Sequence, residues 1–174
     1  MSLLELMRTR RSIREFTEEP IPEEVLFKIM EAGVLAPTSK SRMPWEIRVI
    51  QDQSLLKTLA KAKWHGARPL ENCTAAVAVV ADSSVSDVWI EDCSIAMTYM
   101  HLMAAAQGLG SCWVQLRLRK DADGGDAEQN ALAALGYDDP WRLVGILALG
   151  IPGEEKPGYG EDDIRKRMEK KVIR

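Results

Sequence analysis

From Cys93 to Leu116 the chain carries no Asp, Glu, Lys or Arg, its longest uncharged stretch. Ser94, Thr98, His101, Gln107 and the run Gly108-Leu109-Gly110 interrupt it, so a membrane span is a poor reading. A helix over Val88–Gln107, apolar almost all round after Cys93, has to sit at the centre of the molecule. The Gly-Leu-Gly run is expected to end it with backbone in the left-handed region. Everything else must then pack around one helix. Period-two and buried apolar runs predict strands over Glu46–Gln51, Thr74–Ala81, Ser111–Leu116 and Leu143–Leu149. Helical spacing predicts helices over Leu3–Arg8, Pro22–Ala36, Ser54–Lys63, Glu128–Leu135 and Asp162–Met168, with Pro37 stopping the second and Gly136 closing the fourth. Three strand-to-strand intervals carry helices, yet no strand–glycine–helix phosphate turn appears. The pattern fits an α+β chain with a small sheet around one dominant helix.

At 174 residues, with 46% hydrophobic and 28% charged residues, the chain is expected to form one domain over residues 1–174. Lys+Arg 23 against Asp+Glu 26 gives a net charge of −3, which argues against a nucleic-acid coat. The charge is uneven: residues 8–14 hold four arginines and no acid, and residues 165–174 hold six cations against Glu169. Local basic patches on an acidic chain suit a small anionic ligand. Cys73, Cys93 and Cys112 share no CxxC spacing and read as reduced, partly buried thiols. With His65 and His101 as the whole histidine complement, a zinc site is not expected. Leu3–Met7 is too short, with Glu5 inside it, to read as a signal segment. A soluble, cytoplasmic protein that binds neither membrane nor nucleic acid is the expectation.

Four segments could carry chemistry. Arg10-Arg11-Ser12-Ile13-Arg14 offers forked guanidinium donors and a hydroxyl, which match phosphate oxygens, although a solvated basic turn would look the same. Ala36-Pro37-Thr38-Ser39-Lys40-Ser41-Arg42-Met43-Pro44-Trp45 is a loop held between two prolines that leads into a strand. Gly108 to Gln115 is not a GxGxxG turn, because it follows a helix and Trp113 stands at the last glycine position. Lys156-Pro157-Gly158-Tyr159 supplies one further cation. His101, inside the apolar helix, reads as a core histidine with its hydrogen bonds satisfied.

The blocks RRSIREF, PIPEEVLFKIMEAGVLAPTSKSRMPWEIRVI, AAAQGLGSCWV and LALGIPGEEKPGYGEDD, in this order and spacing, resemble the short members of the nitroreductase family over nearly the whole chain. The resemblance implies a small antiparallel sheet flanked by helices, an intertwined homodimer, and two FMN sites at the subunit interface. It implies that NAD(P)H reduces the flavin and that a small acceptor (nitroaromatic, quinone, enone or flavin) then reoxidises it by a ping-pong mechanism. Residue by residue, it assigns Arg10, Arg11 and Ser12 to the FMN phosphate. Arg14 goes to the N1/O2 edge, where it supports the reduced flavin. Pro37, Thr38 and Ser39 of the other subunit pack by the isoalloxazine. Trp113, Val114, Gln115 and Leu116 line its opposite side with backbone N–H groups near N5 and O4, and Lys156 is a second phosphate cation. Many members have Asn where this chain has Ser41 and Gln where it has Met43, both as polar contacts to the flavin. A flavin carrier without turnover, or an anion-binding module without flavin, would use the same basic residues.

Overall fold

A computed structural model describes residues 1–173. In chain order its elements are α1 (Leu3–Thr9), α2 (Glu23–Val34), β1 (Trp45–Ile50), α3 (Gln53–Lys61), α4 (Pro69–Asn72), β2 (Ala75–Asp82), α5 (Trp89–Ala106), β3 (Gly110–Gln115), α6 (Ala127–Leu135), β4 (Trp141–Gly150) and α7 (Glu161–Lys171). The four strands form one antiparallel sheet in the order β1-β2-β4-β3.

Strict alternation along β2 sorts its side chains to two faces. Ala76, Ala78 and Val80 pack with α3, α4 and α6, through Leu56, Leu59, Leu70, Ala131 and Leu132. Ala75, Val77, Val79 and Ala81 pack with α2 and α5, through Leu26, Ile29, Cys93, Met97 and Met100. The result is three layers, with both central strands buried on both faces. Asp52 and Asp126 cap α3 and α6 by accepting from N–H groups of the first turn. Gly136 closes α6 at φ 80°, as the sequence predicts.

Three expectations change in detail. Of the Gly-Leu-Gly run, Gly108 alone takes a positive φ (77°), while Gly110 already belongs to β3. Pro22 caps α2 rather than opening it, and α2 ends at Val34. The expected Asp162–Met168 helix extends to Glu161–Lys171. The short α4 and a single 3-10 turn at Ser39–Ser41 carry no periodic signal and escape a sequence reading. Among the described residues no helix is long and apolar enough to cross a membrane.

β4 carries one extra residue opposite β2: Ala78 pairs with Ile146, but Val80 pairs with Leu143. Gly145 sits in this bulge. A Cβ added there would lie 2.6 Å from the Val114 carbonyl oxygen and 2.9 Å from Trp113 Nε1. The carbonyl is backbone and cannot swing aside. Gly145→Ala should therefore cost about 1–3 kcal/mol of stability in urea unfolding, and an unchanged midpoint would show that the bulge tolerates a side chain.

Candidate functional site

The first nine residues fold back as α1, whose cap is a Ser2–Glu5 capping box. The chain then runs along the open edge of β3. Ser12 bridges Ser111 in parallel, and Ile13 N–H donates to the Ser111 carbonyl at 3.0 Å. Gly110 makes this possible, because any Cβ there would lie 2.8 Å from the Ile13 side chain. The arginines are thereby fixed beside β3. The segment after β4 returns to the same place. Phe16 bridges Pro152, Gly153 N–H donates to the Glu15 carbonyl, and Lys156 Nζ donates to the Ser12 carbonyl at 3.0 Å.

Arg10, Arg11, Ile13 and Lys156 line one small cavity of about 170 Å³ with Thr9 and Gly108. Arg10 Nη1 lies 2.9 Å from His101 Nε2. Arg11 donates to the Pro157 carbonyl and lies over the Tyr159 ring, whose other cationic neighbour is Arg167. Arg167 and Arg11 hold the Tyr159 hydroxyl below its ordinary pKa, with the Arg167 hydrogen bond the larger cause. Arg14 is exposed, and its Nη1 reaches the Ser12 carbonyl at 3.4 Å.

One residue that a sequence reading misses is Glu154. Its Oε1 accepts from Arg14 N–H at 2.6 Å and pairs with Lys156 Nζ at 2.7 Å. Those two donors hold its carboxyl below the usual range. It occupies donors that an incoming anion would compete for. Nothing in the local sequence separates Glu154 from its neighbour Glu155.

β3 presents two different faces. Val114 and Leu116 turn buried side chains into the α3/α6 layer. Trp113 and Gln115 point the other way, with Trp113 Nε1 donating to Gln115 Oε1 at 3.0 Å. The N–H of Leu116, expected to be free for a ligand, instead donates to the Val144 carbonyl at 3.1 Å. Strand alternation sends groups of Trp113 and Gln115 to the open edge, on the side where Ser111 already pairs with Ile13.

The Pro37–Pro44 loop is strained and tied down. Lys40, Ser41 and Met43 take positive φ values (52°, 54° and 42°), each costing on the order of 1–3 kcal/mol. Non-glycine residues give no sequence signal for this. The buried Asp92 accepts from Ser39 N–H at 2.9 Å, Thr38 Oγ1 accepts from Met43 N–H, and Arg42 donates to the Val85 carbonyl. Met43 is 56% exposed, so its thioether is available at the surface and not packed in the core. This loop does not meet the basic turn of its own chain. It enters β1 beside Ala81, at the level of Arg142 on β4, whereas Ser12 docks at the level of Leu149. Six residue steps of β2, from Ala75 to Ala81, separate the two levels, about 20 Å, and β1 and β3 are opposite edges, about 14 Å apart.

Cys73, Cys93 and Cys112 are buried free thiols. Burial pushes Cys73 up to about 11 and Cys93 up to about 12, and raises Cys112 as well. None is an activated nucleophile.

These features define an α+β chain with a basic pocket on one sheet edge and a strained, anchored loop on the other. Residues 7–84 and 74–151 match the sequence profile of the Nitroreductase family. A relative from Archaeoglobus fulgidus, provisionally named an NADH dehydrogenase/NAD(P)H nitroreductase, is 34% identical over 92% of this chain and 91% of its own. A Methanothermobacter thermautotrophicus relative of the same provisional name is 34% identical over 98% and 88%. The solved structure of an FMN-dependent nitroreductase from Clostridium difficile superposes with a TM-score of 0.93, at 35% identity, over 98% of both chains. The chain belongs to the nitroreductase family.

The histidine expected to be a satisfied core residue has both ring nitrogens engaged, and burial followed by the Arg10 charge pushes it down to about 4. Unfolded, it titrates near its ordinary 6.5. Above pH 6.5 neither state binds the proton and stability is complete. As pH falls from 6.5 towards 4 the unfolded state alone is protonated, so stability declines, and below about 4 the decline ends. The shift corresponds to on the order of 3 kcal/mol. Urea unfolding should therefore lose more stability between pH 7 and pH 4.5 in the wild type than in His101→Leu, and equal losses would contradict the assignment.

Proposed function

We propose that the chain is an FMN-dependent oxidoreductase that passes hydride from NAD(P)H to a small acceptor, a nitroaromatic, quinone, enone or flavin. Both substrates use one open face in turn, so the kinetics are ping-pong. The observation that carries this reading is the convergence of Arg10, Arg11 and Lys156 on one cavity beside the open edge of β3. Forked cationic donors suit a phosphomonoester, and free strand-edge groups next to them suit a ring bearing hydrogen-bonding edges. FMN carries both parts.

When bound, FMN supplies the hydride chemistry that the side chains of this protein lack. Arg10 and Arg11 hold its phosphate together with the Ser12 hydroxyl, and Lys156 joins them as it exchanges Glu154 for the ligand. Arg14, exposed beside them, sets a fixed positive charge where reduction adds negative charge. Trp113 and Gln115 offer edge groups of β3 to the ring, with Val114 forming the backbone between them. Leu116 contributes packing only, because its N–H is committed to Val144. No side chain is assigned a proton transfer.

A second copy of the chain completes the site in this reading. Pro37, Thr38, Ser39, Ser41 and Met43 lie at the sheet corner diagonal to their own arginines, so a flavin held by both takes them from two chains. Two features support a homodimer. Leu3, Leu4, Met7, Ile95 and Tyr99 are exposed apolar residues of α1 and α5. Leu3, Leu6, Met7, Tyr99, Leu102 and Met103 also line an apolar groove of about 390 Å³. Free buried thiols fit a reducing, cytoplasmic setting.

Arg10→Ala should remove a charge-assisted phosphate contact worth roughly 1.5–3 kcal/mol. The FMN dissociation constant should then rise about ten- to a hundredfold by fluorescence titration. Unchanged affinity would take Arg10 out of the site. Sedimentation of the FMN-loaded protein should give a dimer, and a 19.4 kDa species at micromolar concentration would contradict the two-chain site.

A further inference from the structure

Arg10 does not point into the basic cavity unaided. Its Nη1 lies 2.9 Å from His101 Nε2, and His101 Nδ1 lies 2.6 Å from the hydroxyl oxygen of Ser111. Ser111 is buried, and it is the residue on which the basic turn docks. The chain of contacts joins the turn to the central helix α5 and to the first residues of β3.

Chemistry assigns the protons. A guanidinium carries donors alone, so His101 Nε2 must be the acceptor. The ring proton of the neutral imidazole is then on Nδ1 and is donated to Ser111 Oγ. Burial and the neighbouring guanidinium keep the ring in this neutral, accepting form across the neutral range. One of five guanidinium N–H groups is thereby fixed, which sets the rotation of the fork and leaves the others directed elsewhere. An arginine held in this way loses less rotamer freedom when it binds an anion.

We propose that His101 is a positioning residue that aims Arg10 at the ligand phosphate, and that it thereby sets the preference of the site for FMN over riboflavin. The inference rests on the assignment of Arg10 to the phosphate made above. It predicts an effect confined to the phosphate-bearing ligand, which a general packing role of His101 would not produce.

The test compares FMN and riboflavin, which differ by the phosphate, in fluorescence titrations of four proteins. In His101→Leu the FMN dissociation constant should rise about three- to tenfold, the range of one lost hydrogen bond. Riboflavin binding should change by less than about twofold. His101→Gln, whose amide oxygen can accept from Arg10, should recover most of the preference. Arg10→Ala should cut it about ten- to a hundredfold, because Arg11, Ser12 and Lys156 remain. If His101→Leu weakens both ligands equally, or neither, while Arg10→Ala cuts the preference, the positioning role is wrong and the phosphate assignment stands. If Arg10→Ala itself leaves the preference intact, both fall. A readout independent of any variant is the imidazole nitrogen spectrum of the wild-type protein at pH 7. The Nδ1–H form is expected, and an Nε2–H form would overturn the proposal.

Discussion

The double-sided burial of β2 and β4 is the constraint on which the rest of the molecule depends. Every residue from Ala75 to Ala81 is buried, and so is every residue from Leu143 to Gly150. Strands buried on both faces need a helical layer on each side, and α5 with α2, then α3 with α4 and α6, supply them. No polar chemistry fits in such an interior. It is displaced to the edges of the sheet, where backbone groups remain available. On the β3 edge the N-terminal turn fills part of that vacancy through Ser12 and Ile13 and brings the arginines with it. On the β1 edge the Pro37–Pro44 loop is held by Asp92, a buried carboxylate at the start of the same central helix that carries His101. One helix thus anchors both the loop and the basic turn, by Asp92 near its start and His101 about seven-tenths of the way along.

The loop and the basic turn differ in how they are held. The loop keeps three non-glycine residues at positive φ, and its strain is offset by the hydrogen bonds of Asp92, Thr38 and Arg42. Such a segment presents backbone and small hydroxyl groups in a fixed shape. The basic turn instead directs Arg10 to His101 and Arg11 to the Pro157 carbonyl, while its backbone at Arg14 donates to Glu154. Glu154 neutralises Lys156 and leaves Arg10 and Arg11 without a carboxylate partner among the described residues. Uncompensated positive charge is therefore concentrated at the cavity that Arg10 and Arg11 line.

Much of this was legible in the sequence, for identifiable reasons. The apolar run of α5, the alternation of the strand runs and the Gly136 stop follow directly from periodicity and left-handed backbone preference. The four-block resemblance brought Arg10, Arg11, Ser12 and Lys156 together across some 145 residues of chain, which no local pattern could do. What escaped depends on tertiary contact. α4 is one turn long and has no period to detect. Lys40, Ser41 and Met43 have side chains that give no hint of positive φ. Leu116 N–H is consumed because the regular β3–β4 register turns it towards the Val144 carbonyl, a pairing that β3 alone does not reveal. Asp92, Glu154 and His101 each have an ordinary local context, and their partners lie 53, 140 and 91 residues away.

The central claim is that these two sheet edges, taken from two copies, hold a flavin that works with NAD(P)H. The visible spectrum of the purified protein, with FMN added and excess removed, tests it most directly. A flavin band should stay with the protein and bleach on anaerobic addition of NADH or NADPH, returning when an acceptor is supplied. A colourless protein after removal of excess FMN, or a bound flavin that neither nucleotide bleaches, would contradict it.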